Sequence, residues 1–160
     1  MIDLKERQEY INAIKNSYNW KAWLRIKRGD AADLMIAALD LKPWLIDRPS
    51  LRLTKIEEKA GLKKRKLNTL KCEDTILSPQ QFTMILPVLA PLGFSCTPKK
   101  SSSIKQFLID NKELISFAGL EKEAKINLFT IDNHINKNFA MSPENKKKLI
   151  PILKKYGYQE

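Results

Sequence analysis

Residues 51–94 read LRLTKIEEKAGLKKRKLNTLKCEDTILSPQQFTMILPVLAPLGF, and residues 115–158 read ISFAGLEKEAKINLFTIDNHINKNFAMSPENKKKLIPILKKYGY. The two stretches align without a gap, and most apolar positions match in kind, among them Ile56/Leu120, Leu67/Ile131, Ile85/Leu149 and Phe94/Tyr158. Seven positions are identical: Glu57/Glu121, Ala60/Ala124, Ser78/Ser142, Pro79/Pro143, Pro87/Pro151, Leu89/Leu153 and Gly93/Gly157. Each copy is long enough for one small helical module, so the repeat predicts a duplicated architecture.

Helix-starting and helix-breaking residues divide each copy into short helices. Prolines suit the first helical position, serine suits the N-cap, and Gly61 suits a turn with positive φ. In the first copy they predict a short helix opening at Pro43, then helices at about Leu53–Ala60, at about Lys63–Lys71 and from Pro79 onward. The second copy predicts helices near Ile104–Asn111, Phe117–Ala124, Asn127–Asn136 and Pro143–Lys155. No strand pattern competes, so we expect an all-α fold.

The repeats divide the chain into four segments. An N-terminal helical extension (1–41) carries amphipathic periodicity over about 3–16 and a second helix from about 31 to 40. Module 1 (42–94) and module 2 (104–160) each contain about four short helices. The polar, basic residues 95–103 join the two modules as a linker.

The first copy contains a helix-turn-helix pattern over Leu53–Leu70. Small Ala60 lets two helices approach closely, Gly61 turns the chain, and Leu67 anchors the second helix inward. The residues left facing outward are polar or cationic: Lys63, Lys64, Arg65, Lys66, Asn68 and Lys71. Arg and Lys can bond guanine, Asn can bond adenine, and helix N-termini favour phosphate. The pattern therefore predicts a nucleic-acid-reading helix over Lys63–Leu70.

This pattern resembles the helix-turn-helix of the lambda-repressor-like (Cro/XRE-type) family. The residues that carry the resemblance are Ile56-Glu57-x-x-Ala60-Gly61-Leu62, then Leu67, Ser78-Pro79, Leu86-Pro87, Leu89 and Gly93-Phe94. The second copy ends in Leu153-Lys154-Lys155-Tyr156-Gly157-Tyr158, which is similar to the ends of small bacterial and phage regulators. The resemblance implies that Lys63, Lys64, Arg65 and Asn68 contact bases or phosphates. The family often has a small residue in place of Arg65, so Arg65 either contacts phosphate itself or marks a different docking.

The second copy departs from the pattern of the first. Lys125 stands where the first copy has Gly61, and Leu128 and Phe129 occupy the positions of Lys64 and Arg65. Exposed apolar residues read a DNA groove poorly and contact proteins well. We therefore expect a degenerate second module that uses Leu128 and Phe129 as a protein contact.

Two further groups of residues have alternative interpretations. Basic and aromatic residues form a candidate secondary surface for nucleic acid: Trp20, Lys21, Arg25, Lys27, Arg28, Lys146 and Lys147. The alternative for Trp20 and Trp23 is that they fill the core. His134 aligns with the apolar Leu70 and is expected to be a partly buried structural histidine.

Composition limits the classes of function. A net charge of +11 over 160 residues favours a polyanionic partner, although a Lys-rich composition alone is an alternative account. No apolar run is long enough for a membrane span, and the N-terminus lacks the pattern of a signal peptide, so we expect a cytoplasmic protein. Two cysteines and one histidine have no metal-site spacing. No catalytic motif is present, so we expect no enzyme activity, cofactor or small-molecule substrate.

The sequence thus leaves two functional hypotheses. The first is a DNA-binding regulator of phage or mobile-element type, with duplex DNA as the partner and RNA as the alternative. The second is a phage-encoded inhibitor of a host defence nuclease, of anti-CRISPR type. Such an inhibitor would bind the nuclease or its guide RNA through basic and aromatic helical surfaces. A protein partner would then be the nuclease or a second subunit.

Overall fold

A computed structural model describes residues 20–23, 31–95, 100–101 and 103–159. Within this part of the chain the fold is all-α, with nine α-helices and no strand. In chain order they are α1 (Trp20–Trp23), α2 (Ala31–Ile46), α3 (Leu53–Ala60), α4 (Lys66–Cys72), α5 (Pro79–Leu89), α6 (Ile104–Asn111), α7 (Phe117–Ala124), α8 (Thr130–Asn136) and α9 (Pro143–Lys155). A 3-10 turn, Ala90–Leu92, follows α5. No helix in the described ranges is both long and apolar enough to cross a membrane.

Helix α2 is one continuous helix, so the prediction of a separate short helix opening at Pro43 is wrong. Pro43 lies inside α2, where a proline cannot donate the usual backbone hydrogen bond. Leu41 and Leu45 flank it on one face of the helix and are both fully buried. Burial of these side chains offsets the lost hydrogen bond. The boundary predicted between residues 41 and 42 therefore falls within a helix.

The first repeat (residues 51–94, hereafter repeat 1) contains α3, α4 and α5. Helix α3 has its predicted bounds, and Gly61 ends it in the left-handed conformation with φ of 71°. The prediction that the next helix begins at Lys63 is wrong, because α4 begins at Lys66. Arg65, just before it, also has a left-handed φ of 65°, which interrupts any helix started earlier.

The second repeat (residues 115–158, hereafter repeat 2) reproduces these elements in the same order. Helices α7 and α9 match their predicted bounds, and so does α6 just before them. Helix α8 begins at Thr130 rather than at the predicted Asn127, because Phe129 has a left-handed φ of 65° like Arg65. The packing is duplicated too: α3 packs on α4 and α5, and α7 packs on α8 and α9.

The two repeats meet through equivalent residues. An antiparallel β-bridge joins Leu51 to Ile115. The N–H of Arg52 donates to the carbonyl of Leu114 at 2.8 Å, and the N–H of Ser116 donates to the carbonyl of Ser50 at 2.8 Å. The two bonds are equivalent: Arg52 and Ser116 occupy the same alignment position and act as donors, and Leu114 and Ser50 occupy the same position and act as acceptors. This reciprocal pattern is that of an antiparallel pair. We infer that an approximate two-fold axis relates the repeats and passes through this bridge.

Trp23 connects the N-terminal part of the chain to repeat 1. Its side chain is 3% exposed, and its indole N–H donates to the carbonyl of Leu77 at 2.9 Å. Its ring packs on that of Phe82, with centroids 6.1 Å apart. The prediction that Trp23 fills the core is confirmed. The predicted helix over 3–16 and the side chains of Arg25, Lys27 and Arg28 lie outside the described residues.

Candidate nucleic-acid interface

A buried carboxylate fixes the turn that precedes α4. Glu57 is 1% exposed and accepts hydrogen bonds from the N–H of Arg65 at 2.9 Å and of Leu67 at 2.7 Å. Bonds from backbone N–H groups to a charged acceptor are among the stronger hydrogen bonds of a protein. Residues 63–67 are therefore tied to α3 by a side chain that itself never reaches solvent.

The fixed turn presents a dense group of cations. Residues 63–71 contain five basic side chains and no acidic one, and we call them the cationic segment. Lys63, Lys64, Arg65 and Asn68 are exposed, while Lys66 and Lys71 are half-buried. The predicted site residues therefore lie on one short segment, and four of the six are exposed to solvent. Apolar Leu67 and Leu70 are buried and hold the segment against the core.

Glu57 occupies backbone N–H groups that are expected to be available to phosphate at the start of α4. Helix N-termini bind phosphate through unpaired N–H groups. Here two N–H groups at the start of α4, those of Arg65 and Leu67, are already bonded to Glu57. These two backbone groups are therefore not available to a ligand, whereas the exposed cationic side chains of the segment are.

Repeat 2 keeps the same scaffold under different side chains. Glu121 is 2% exposed and accepts from the N–H of Phe129 at 3.0 Å and of Ile131 at 2.7 Å. On this scaffold Leu128 is 62% exposed and Phe129 is 69% exposed. The positions that carry five cations in repeat 1 carry none in repeat 2, and Asp132 replaces Asn68. The two turns share one backbone geometry, but the surface is cationic in repeat 1 and largely apolar in repeat 2.

Other predicted site residues lie away from the cationic segment. Lys21 on α1 and Lys146 and Lys147 on α9 are exposed. None of the described contacts links these three lysines to one another or to the cationic segment. Trp20 belongs to α1.

The sequence does not predict the hydrogen bonds that join Ser50, just before repeat 1, to repeat 2. Tyr156 is fully buried; its hydroxyl accepts from the N–H of Ser50 at 3.0 Å and donates to Glu123 at 2.5 Å. Burial, and then the bond to Glu123, raise the pKa of Tyr156 well above its usual value. Ser50 also donates to Glu123 through its hydroxyl. Repeat identity could not reveal this cluster, because none of its residues has an identical counterpart in the other copy.

Arg48, in the segment just before repeat 1, makes a second contact with repeat 2. Its Nε donates to the carbonyl of Lys155 at 2.5 Å, near the end of α9. Its guanidinium lies 4.3 Å from the centre of the Trp44 ring. Burial is the largest influence on its pKa and lowers it. Arg48 therefore acts within the protein, unlike the arginine of the cationic segment.

The described residues form no metal-binding group. No group of three or more His, Cys, Asp or Glu side chains lies close enough there to hold a metal ion. His134 is half-buried, and its Nδ1 lies 2.7 Å from the carbonyl oxygen of Phe139. The prediction that His134 is partly buried is confirmed, and its structural role stays a prediction.

A search of protein-family models, of curated proteins and of solved structures finds no match to this chain. The resemblance to the lambda-repressor-like family therefore stays a prediction from the quoted residues.

Proposed function

We propose that the protein binds duplex DNA through the cationic segment of repeat 1, as a helix-turn-helix regulator of phage or mobile-element type. The observation that carries this proposal is the bonding of Glu57 to the N–H groups of Arg65 and Leu67. It holds a short helix and its preceding turn in one orientation while leaving their cations in solvent. A rigid, outward-facing, cationic helix is what major-groove recognition requires.

The charges of the segment suit both parts of DNA recognition. Lys63, Lys64 and Arg65 precede α4 and are exposed, so they can neutralise backbone phosphates. Asn68 lies one turn further along the exposed face and has the donor and acceptor pair that matches adenine. Phosphate contacts would set the position of the protein on the duplex, and Asn68 would supply sequence preference.

The proposal assigns DNA contact to one repeat rather than to both. Two-fold related helix-turn-helix units bind two half-sites when both carry contacts. Repeat 2 has the matching backbone but lacks the matching DNA-contacting side chains: Leu128 and Phe129 replace the cations Lys64 and Arg65, and Asp132 replaces the neutral amide Asn68. The protein would therefore recognise a single half-site, with repeat 2 supporting repeat 1.

The test is duplex-DNA affinity as a function of salt concentration, measured by fluorescence anisotropy. Wild-type protein should bind with an affinity that falls steeply as salt rises. Replacing Lys63, Lys64 and Arg65 together by Ala should reduce the log–log salt slope by about three, roughly one for each phosphate that is no longer neutralised. Asn68→Ala should leave the slope unchanged and reduce discrimination between duplex sequences.

Lys122→Ala is the matched control for this test. Lys122 is an exposed lysine on α7 in repeat 2, so its removal subtracts charge without touching the cationic segment. Its salt slope should equal that of the wild type. Equal slopes for the triple variant and the wild type would refute the proposal, whatever the absolute affinity.

The exposed apolar pair of repeat 2 favours a second candidate function, inhibition of a host defence nuclease by direct binding. Leu128 and Phe129 are the kind of exposed apolar residues that mark protein contacts. In that case Leu128→Ala and Phe129→Ala would abolish inhibition of the nuclease in a cleavage assay. Variants of the cationic segment would retain inhibition, which separates the two candidates.

A further inference from the structure

A cleft of about 810 Å³ lies between the repeats on one side of the two-fold axis. Its walls come from α3 of repeat 1 and from α8 and the end of α6 on the other side. The size lies within the range of small-molecule sites, which often form where two structural units meet. The cleft does not include Lys63, Lys64 or Arg65, so it is separate from the proposed DNA contact.

The charged groups of the cleft are unevenly matched. Lys55 and Glu58 pair at 2.7 Å, and Asp132 accepts from Asn136 at 2.7 Å. The remaining charged residues of the cleft are Arg52, Lys59, Lys112 and Glu113. Their side chains have no hydrogen bond or ion pair among the described residues. A hydrogen bond from the neutral amide of Asn136 leaves the charge of Asp132 uncompensated. Within this part of the chain, three cations without an ion pair therefore face two such carboxylates, Glu113 and Asp132, and the net positive charge of the cleft favours an anionic group.

The rest of the lining is apolar. Ile109, Leu114, Phe117 and Ile135 contribute to the cleft wall. Leu114 is buried, while the other three are half-buried, so an apolar surface remains open beside the free cations. A ligand that fits both parts has a flat or branched apolar body and an anionic group.

On the other side of the two-fold axis, residues equivalent to those of the cleft pack against one another. The counterparts of Leu114 and Lys55 are Ser50 and Gly119, which lie so close that a Cβ atom on Gly119 would come within 2.6 Å of the Ser50 hydroxyl oxygen. The counterpart of Lys59 is Glu123, which is hydrogen-bonded to Ser50 and Tyr156.

Lys59 thus has no hydrogen bond or ion pair in the described structure, at a position whose equivalent across the axis is bonded within the protein. Lys112, on the other wall of the cleft, likewise has no hydrogen bond or ion pair among the described residues. We propose that this cleft is a binding site for a small organic anion with an apolar body, held by Lys59, Lys112 and Arg52. The site lies beyond the proposed DNA-binding function and does not depend on it.

The test uses 8-anilinonaphthalene-1-sulfonate, an apolar body with one anionic group whose fluorescence rises in apolar surroundings. Titration of the full chain, without nucleic acid, should give saturable binding to one site. Lys59→Ala and Lys112→Ala should each weaken the affinity about fivefold, the effect of one partly exposed charge contact. N-phenyl-1-naphthylamine, the neutral analogue, should bind at least about fivefold more weakly than the sulfonate for the same reason.

Two controls separate the cleft from other surfaces. Lys122→Ala removes an exposed lysine from the opposite side of the axis and should leave the affinity unchanged. Phe129→Ala removes the most exposed aromatic side chain of repeat 2 and should also leave it unchanged.

Several results would overturn the proposal. These are absence of saturable binding, equal affinity for the neutral analogue, an equal effect of Lys122→Ala, or loss of the signal in Phe129→Ala. Displacement of the probe by duplex DNA would assign the cleft cations to nucleic acid instead. Because the titration contains no DNA and leaves Arg65 in place, its failure would not affect the proposed DNA-binding function.

Discussion

At the scale of single residues, backbone conformation is retained where side chains have diverged. Arg65 and Phe129 share a φ of 65°, although one is cationic and the other apolar. Lys125 has a φ of 53° where Gly61 has 71°. A side chain other than glycine is strained in this region. The turn geometry is therefore imposed by the surrounding structure, through Glu57 and Glu121, rather than by the residue that occupies the turn.

The strain at Lys125 gives a stability prediction. Lys125→Gly should raise the free energy of unfolding by about 1 kcal/mol, because glycine adopts a left-handed φ without steric cost. The gain is limited by the greater freedom of glycine in the unfolded chain. Urea denaturation followed by circular dichroism would measure it.

Lys125→Ala is the matched control for this change. It removes the same charged side chain and keeps the strained backbone, so its free energy of unfolding should stay close to that of the wild type. If alanine stabilised the protein as much as glycine, loss of charge and not relief of strain would be the cause.

At the scale of helices, the sequence predicts positions well and some starting points poorly. Helices α3, α6, α7 and α9 match their predicted bounds because caps, prolines and apolar periodicity act locally. Helices α4 and α8 begin later than predicted because bonds from a buried glutamate, eight or more residues back along the chain, fix the turn. The sequence does contain one signal for this turn: a glutamate, Glu57 or Glu121, occupies the same position in both repeats.

In the candidate sites too, features set by local sequence could be predicted, and features set by contacts between distant residues could not. Exposure of the cations in residues 63–65 follows from the periodic burial of Leu67 and Leu70, which the sequence contains. The unpaired state of Lys59 and Lys112 among the described residues does not, because it depends on which residues face them across the repeat interface. The continuation of α2 through Pro43 could not be predicted either, because it depends on the burial of Leu41 and Leu45.

Helix capping differs between the repeats in a measurable way. Ser78 accepts from the N–H of Gln81 at 3.3 Å, and the Gln81 side chain accepts from the N–H of Ser78 at 3.1 Å. Ser142 accepts from the N–H of Asn145 at 3.2 Å without the reciprocal bond. Ser78→Ala should lower the free energy of unfolding by about 1–2 kcal/mol and Ser142→Ala by about 1 kcal/mol.

A double-mutant cycle separates the reciprocal bond from simple capping. Ser78→Ala and Gln81→Ala should be non-additive, since each removes one part of the same bonded pair. Ser142→Ala and Asn145→Ala should be additive to within about 0.5 kcal/mol. Additivity at both helices would contradict the reciprocal cap in repeat 1.

At the scale of the whole molecule, the repeats also approach closely at their ends. A Cβ atom on Gly157 would lie 2.7 Å from the carbonyl carbon of Leu92 and 3.0 Å from the amide nitrogen of Gly93. Gly93 and Gly157 are equivalent residues, so this approach is a second point of contact near the two-fold axis. Only a residue without a side chain permits it.

Substitution at this point should destabilise the protein. Gly157→Ala should lower the free energy of unfolding by about 3 kcal/mol or more, because the φ of 94° and the backbone clash both oppose a side chain. Gly61→Ala is the control: it shares a left-handed φ and meets only the flexible end of Met84 at 3.2 Å. Equal losses in the two variants, measured by urea denaturation, would show that backbone strain alone is responsible.

The two-fold contact has a further consequence because one covalent chain carries both halves. Separate subunits related by such an axis fall apart on dilution, since their association depends on concentration. Here residues 95–103 tether one half to the other, which maintains a local concentration in the millimolar range for a short connection. The paired state should therefore persist at the nanomolar levels of a scarce cellular protein, and each half is free to change its outer surface without having to match an identical copy.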